Sequence, residues 1–478
     1  MAQMLIYGKW VDSESGEWME VINPATQEVV DRVPRGTAKD VEKAVEGAQE
    51  AFLQWSRTPA EERASILFRA VELIESQKKE IAVLLTQEQG KPVSESEREI
   101  DHFLHGLRFY AGLANKIRGA YVPMSDASLY GMVLKQPIGV CGAIVPWNFP
   151  LTLMGTKVGP ALSAGNTIVI KPASTTPLAT LKVAGLLLQA GLPPGAINVV
   201  TGPGAVVGEA LLEHPAVRRI AFTGETQTGK RIAEVAGRGI KRISLELGGS
   251  DPMIVCEDAD MKKALSAASV GRFYNCGQAC LAIKRLYLME SIAEDFITQL
   301  VEKVRRLKVG NGLLPDTRLG PLHTEKQRRE VEDMVNEAIS RGARVLIGGK
   351  RPEGEEFSRG FFYLPTLLEN VPHDATIVQE ECFGPALPIF RVKNLDEAIE
   401  LANSSKYGLG ASIWTRDLSR AYRAAERLEA GNVWINNLHI GYDELPFGGV
   451  KQSGFGREHG PEALESYLEL KAIVVNTG

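Results

Sequence analysis

The chain has 478 residues, 44% hydrophobic and 24% charged, with a formal net charge of −5. That length supplies two or three domains with cores of their own, and the composition is globular rather than disordered. The acidic balance argues against nucleic acid or an anionic membrane as partner, and no run approaches the ~20 apolar residues of a membrane span. The N-terminal residues lack the basic-then-apolar pattern of a secretory signal. Five cysteines without a pairing pattern point to a reducing compartment, so a cytoplasmic protein is expected.

Residues 1–36 read as short strands and turns, with a turn at Asn23-Pro24-Ala25-Thr26. From Thr37 the apolar residues recur at three-to-four spacing, through Val41, Ala44, Val45 and Ala48, so a helix follows, capped by Thr37 or Asp40. Further helices are expected from Ala60 to about Ser76, through Ile81 to Gly90, and from Pro92 to Ala120; His102 and His105 on the last read as solvated surface residues. Residues 121–123 and 129–134 change to strand character.

From Ile138 strand and helix alternate five times. Apolar strands are expected at 140–145, 167–170, 196–200, 219–222 and 242–245, with helices at 151–162, 178–189, 205–212 and 228–236 between them. That alternation predicts an α/β fold with a doubly wound parallel sheet, which binds ligands beyond the carboxyl ends of its strands. Four of those ends, at 146–148, 171–174, 201–204 and 223–225, are polar or glycine-rich. Gly202, Gly204 and Gly208 open a helix after a strand, one residue longer than the strict dinucleotide fingerprint. After Gly249 a second α/β region begins, with a strand at 251–256, a helix at 258–268, a strand at 286–288 and helices at 292–307 and 325–341.

Three stretches carry chemistry. In Phe273-Tyr274-Asn275-Cys276-Gly277-Gln278-Ala279-Cys280, two cysteines sit four apart around a glycine. A nucleophilic thiol is favoured by a small-residue turn leading to a helix start, where backbone N–H groups lower its pKa; the alternative is a pair of inert buried cysteines. No histidine or second cysteine pair accompanies them, so no metal site is expected. Leu245-Glu246-Leu247-Gly248-Gly249 places one carboxylate among apolar neighbours, and Pro146-Trp147-Asn148-Phe149-Pro150 places one amide at a strand end. Together Cys280, Glu246 and Asn148 supply a nucleophile, a general base and an oxyanion donor.

This ordered set resembles the aldehyde dehydrogenase superfamily, and the resemblance runs from about Ile6 to Lys471. It implies oxidation of an aldehyde to the carboxylic acid with NAD or NADP, through a cysteine thioester that a Glu246-activated water hydrolyses. It implies cofactor contacts at Pro146, Trp147, Lys171, Ser174, Gly204, Phe222, Thr223, Gly224, Leu247, Glu381 and Phe383. Taken without the resemblance, Phe383 reads as a core residue. Two departures matter. Glu225 stands where the family usually has Ser beside the pyrophosphate, and Ser174 stands where members preferring NAD commonly have Glu. A carboxylate at the ribose repels a 2′-phosphate, so use of NADP is expected.

By position Phe149, Leu153, Thr156, Leu281 and the loop 438–445 should line the substrate funnel. No arginine is evident there to grip a carboxylate, and Asp443 and Glu444 disfavour an anion if they face inward. Against that, 171–174 and 467–471 resemble succinate-semialdehyde dehydrogenases, so both a short semialdehyde and a neutral or hydroxylated aldehyde stay open. The resemblance further implies a cofactor domain of residues 1–117 and 138–248 and a catalytic domain of 249–461. A small β arm of 118–137 and 462–478 should pair across subunits in a homodimer or homotetramer. The alternatives are a coenzyme-A-acylating enzyme, whose lineages typically lack the base that Glu246 supplies, and a non-catalytic protein on the same scaffold.

Overall fold

The computed structural model describes residues 1–478. Its first sheet has eight strands, with five parallel strands at its centre in the order Ile197–Val199, Thr167–Lys171, Val140–Ile144, Val217–Thr223 and Arg242–Glu246. These are the five strands expected from the alternation. Strands Met4–Ile6 and Lys9–Val11 extend one edge antiparallel, and Gly454–Phe455 closes the other. In Thr167–Lys171, Ile168 and Ile170 join one apolar cluster while Val169 joins another, because successive side chains point to opposite faces and both faces are covered by helices.

Helix Pro150–Ala164 begins with proline, whose missing N–H costs nothing there, and stops at Gly165 in the left-handed region (φ 91°). Helix Ala38–Trp55 is capped by Thr37, and Asp40 returns the bond to the cap backbone. The run expected as a plain helix at 205–212 is a π turn, Gly204–Gly208, followed by Glu209–Glu213. A π turn takes up one extra residue, which accounts for the added residue between Gly204 and Gly208.

The chain leaves the first sheet at Glu246 and enters a second at Asp251. This sheet has seven strands, and the parallel part runs Thr366–Glu369, Ala386–Val392, Ile283–Met289, Asp251–Val255, Gly410–Trp414 and Asn432–Ile435. The carboxyl ends of the first sheet therefore face the amino ends of the second, and the segment before Ile283 lies between them.

A third sheet contains both segments of the expected arm. Strand Leu468–Asn476 pairs antiparallel with Leu129–Pro137 of its own chain over nine residue pairs, and Ala120–Pro123 pairs on the far side. The hairpin and the tail are thus joined within one subunit, because the chain end passes beside the hairpin in matching register. The edges left open belong to Ala120–Pro123, exposed at every residue, and to the outer side of Leu468–Asn476. Tyr121, Leu470 and Val474 project from this sheet into solvent.

Candidate active site

The strand order reverses between Val140–Ile144 and Val217–Thr223, and ligands of open α/β sheets bind outside such a switch point. Pro146-Trp147-Asn148 and Thr223-Gly224 follow directly from those two strands. Asn148 is buried and donates through Nδ2 to the Gln278 carbonyl at 3.1 Å. A side-chain amide has two donor hydrogens, so one anchors Asn148 to the cysteine segment and one is left over. The Asn148 carbonyl accepts from Lys91 Nζ (2.6 Å) and Asn275 Nδ2 (3.0 Å). Glu99 ion-pairs with Lys91 and caps Leu151 N, the start of the next helix.

Asn275, Cys276 and Gly277 have φ of 50°, 56° and 73° in succession. The two non-glycine residues are strained by order 1–3 kcal/mol each. Three contacts hold them: Glu95 accepts from Asn275 N (2.8 Å), Gln278 Nε2 donates to the Asn275 carbonyl (3.0 Å), and His323 N donates to Gln278 Oε1 (2.8 Å). At Gly277 a Cβ would stand 2.4 Å from the Gly384 carbonyl, so only glycine fits. This turn sends the two cysteines to different places. Cys276 packs into the core of the second sheet, whereas Cys280 lies against Leu409, Trp434 and Phe447. All five cysteines are free thiols.

The expectation that Cys280 leads into a helix is corrected. It follows a short 3₁₀ turn, Tyr274–Gly277, and precedes strand Ile283–Met289, so no helix dipole acts on it. Burial, reinforced by the neighbouring Glu246 carboxylate, pushes its thiol well above the usual range, while Lys284 pulls the other way.

Glu246, 3% exposed, has both oxygens buried without a well-formed hydrogen bond, and the donor that approaches them is the Cys280 thiol. Burial pushes this carboxyl up to about 8, and Glu458 adds to the effect. Behind it lies a buried pair that sequence reading missed. Lys157 Nζ bonds Glu458 (2.6 Å), Thr223 Oγ1 (2.8 Å) and the Leu153 carbonyl (3.0 Å). A lone lysine inside the apolar helix 150–164 was the available signal, since a buried charge needs a partner.

Along the crevice, Gly224 lies beneath the Phe222 ring, where a Cβ would stand 2.6 Å from Cζ. Helix Thr226–Arg238 begins just beyond it with no side-chain cap, which leaves its first N–H groups open to an anion such as a pyrophosphate. Glu225 is the exposed residue at that cap. Thr223 spends its hydroxyl on Lys157. Leu247 packs on Gly229. Lys171 is buried, bonded only to the Pro172 carbonyl (2.8 Å), and burial lowers its pKa to about 8. Ser174 donates to the Gly202 carbonyl (2.8 Å), and Gly204 stands exposed beside it in sequence. No carboxylate belongs to the 171–174 strand end.

At the other end of the crevice, Glu381 ion-pairs with Lys284 (3.0 Å) and accepts from Gly249 N (3.2 Å). Phe383 is half-buried rather than core and meets Trp147 edge-on at 5.6 Å, while Trp147 stacks on His323 at 4.5 Å. Pro146 is half-buried in the same turn. The uncapped helix start, a lysine without an ion-pair partner and the acid-free 171–174 strand end fit a dinucleotide.

On the opposite side of Cys280 opens a cleft of about 390 Å³, lined by Phe149, Leu153, Leu281 and residues 439–444 of the expected loop. Thr156 is not part of it, because its hydroxyl turns to Glu458 (2.8 Å); Thr152 lines the wall instead. His102 and His105 are exposed, as expected, but they border this cleft rather than a plain surface.

A dinucleotide crevice that opens onto a thiol, an amide and a buried carboxylate defines a nicotinamide-dependent oxidoreductase. The family model described as "Aldehyde dehydrogenase family" matches residues 10–473, and the chain belongs to that family as an NAD(P)-dependent aldehyde dehydrogenase. It is 42% identical to the betaine aldehyde dehydrogenase of Bacillus subtilis (strain 168), over 100% of this chain and 98% of that one. It is 41% identical to the NADP(+) succinate-semialdehyde dehydrogenase of Escherichia coli (strain K12), over 99% and 97%. A crystal structure of Staphylococcus aureus betaine aldehyde dehydrogenase in complex with NAD+ superimposes with a TM-score of 0.97 at 37% identity, covering 100% of this chain and 95% of that one. No helix of the chain is long and apolar enough to cross a membrane.

Proposed function

We propose that Cys280, Glu246 and Asn148 carry the aldehyde oxidation. The observation that bears most weight is the Glu246 carboxylate, buried without a well-formed partner beside the only half-buried cysteine. Cys280 gives its thiol proton to solvent, the thiolate sulfur adds to the aldehyde carbon, and the carbonyl oxygen takes the negative charge. The second Asn148 N–H and the Cys280 backbone N–H stabilise that oxygen. The nicotinamide, when bound, supplies the hydride acceptor. The thioester left on Cys280 is hydrolysed by water whose proton goes to Glu246, releasing the acid and the cysteine sulfur. Reduction of nicotinamide followed by absorbance, with a few aldehydes and with and without coenzyme A, tests this reading. A rate that requires coenzyme A overturns it in favour of an acylating enzyme.

Pro146, Trp147, Lys171, Ser174, Gly204, Phe222, Thr223, Gly224, Leu247, Glu381 and Phe383 are the residues we assign to the cofactor, with Phe149, Leu153 and Leu281 assigned to the substrate funnel. The division of labour we assign is cofactor binding to 1–117 with 138–248, catalysis to 249–461, and assembly to 118–137 with 462–478. Five unpaired thiols suit a cytoplasmic protein.

NADP is expected to be used at least as well as NAD. A 2′-phosphate carries roughly −1.5 to −2 charges, and the Lys171–Ser174 end offers it a lysine and a hydroxyl with no acid. Ser174→Glu should cut kcat/KM for NADP by about tenfold or more while sparing NAD, a difference of about 1.4 kcal/mol. Unchanged NADP efficiency would place residue 174 away from the ribose.

The unpaired outer edges of the third sheet, with Tyr121 and Val474 exposed beside them, suit a homodimer or homotetramer. Sedimentation at micromolar concentration should give a species of at least twice 52.1 kDa; a monomer overturns the assignment.

A further inference from the structure

The substrate cleft has no lysine or arginine among its lining residues. The buried lysines behind its walls are committed elsewhere, Lys91 to Glu99 and the Asn148 carbonyl, Lys157 to Glu458 and Thr223. At the mouth, Asp443 accepts from His459 Nδ1 at 2.7 Å and from His105 Nδ1 at 2.5 Å. Against the upward push of burial, these two histidines hold the Asp443 carboxyl below its usual range. An ionised carboxylate only accepts, so each Nδ1 carries a proton directed at Asp443. Glu444 adds a second carboxylate to the rim.

Deeper in the wall, His439 lies with its Nδ1 3.2 Å from the carbonyl of Leu281, the residue after Cys280. Since a carbonyl only accepts, Nδ1 donates; the buried Asp251 carboxylate lies 3.5 Å from the same nitrogen, and Nε2 is sealed in the wall with no partner. With Asp443, Glu444 and Glu458 in its lining and no lysine or arginine, the cleft is rich in acceptors and short of fixed positive charge. A substrate carboxylate would lose its water there without gaining an ion pair. A quaternary ammonium is held by open aromatic faces, and one of the lining rings is already taken: Phe149 has Lys91 Nζ 4.0 Å from its centroid and Tyr274 stacked on it at 5.9 Å.

We infer that the cleft takes a short neutral aldehyde carrying hydroxyl groups, which donate to this acceptor lining, in preference to a carboxylate semialdehyde or a quaternary-ammonium aldehyde. The inference rests on the reading of Cys280 as the group that receives the aldehyde. Its test is kcat/KM for lactaldehyde, propionaldehyde, succinate semialdehyde and betaine aldehyde at pH 8.5, above the ordinary imidazole range, in the wild type and in Glu444→Lys. Lactaldehyde should exceed each of the other three by at least about tenfold, the factor that a site built to bond a hydroxyl readily achieves. In Glu444→Lys, on an exposed loop, the ratio of succinate semialdehyde to lactaldehyde should rise about threefold or more. Propionaldehyde equal to lactaldehyde overturns hydroxyl recognition. Succinate semialdehyde or betaine aldehyde as the best substrate overturns the charge argument, as does an unmoved ratio in Glu444→Lys. Failure to oxidise any of the four removes the dehydrogenase reading itself, and this inference with it.

Discussion

Cys280→Ser is expected to abolish steady-state aldehyde oxidation, by roughly 10⁴-fold or more, because a hydroxyl at this site has no base strong enough to make it a comparable nucleophile. Cys276→Ser, four residues earlier, should leave the rate per folded molecule within a few fold. The two thiols belong to different environments: Cys276 is packed into the second core, while Cys280 lies beside Glu246 and the cleft. The Cys276 substitution has a structural cost instead, since it buries a hydroxyl in an apolar setting at about 1–3 kcal/mol, which denaturant unfolding would register. Steady-state rates for both variants, normalised to folded protein, decide the matter. An active Cys280→Ser beside an inactive Cys276→Ser would reverse the assignment.

Glu246→Gln should separate the two halves of the reaction. The amide keeps the shape and removes the base, so a single-turnover burst of reduced cofactor survives while steady-state turnover falls by about 10²–10⁴. The pH profile gives a second readout. Burial raises the Glu246 carboxyl to about 8, and a general base works only when deprotonated, so wild-type turnover should climb about tenfold per unit towards pH 8 and level off above it. The climb should be missing in Glu246→Gln. Burst and steady state falling together would instead give Glu246 the earlier task of taking the proton from Cys280, with which it is already in contact.

Much of this site was legible in the chain because its parts are local. Strands with apolar runs at 140–145, 167–170, 219–222 and 242–245 are marked by period and by the turn residues between them, and the parallel sheet follows from their alternation with helices. Asn148, Gly224 and Glu246 fall at the ends of those strands, where the topology of such a sheet puts its ligands. The extra residue between Gly204 and Gly208 was visible too, although only the backbone revealed that a π turn absorbs it.

What the tertiary structure decided involves groups far apart in sequence. Lys91 reaches the Asn148 carbonyl across 57 residues, and Lys157 meets Glu458 across 301. Neither pairing has a local period or motif, because a buried charge is satisfied by whatever partner the fold delivers. The backbone setting of Cys280 was misread from sequence for a related reason. Its small-residue neighbours suggested a helix start, but the left-handed run at 275–277 is held by Glu95, His323 and Gly384 from elsewhere in the chain, and it leads into a strand. The tail was matched to the hairpin through the resemblance, whereas the nine-residue register that joins them within one chain is set only by the fold. The charge of the cleft came last of all: Asp443 and Glu444 could be read in the loop, but their inward placement, beside histidines from two other segments, exists only once the chain is folded.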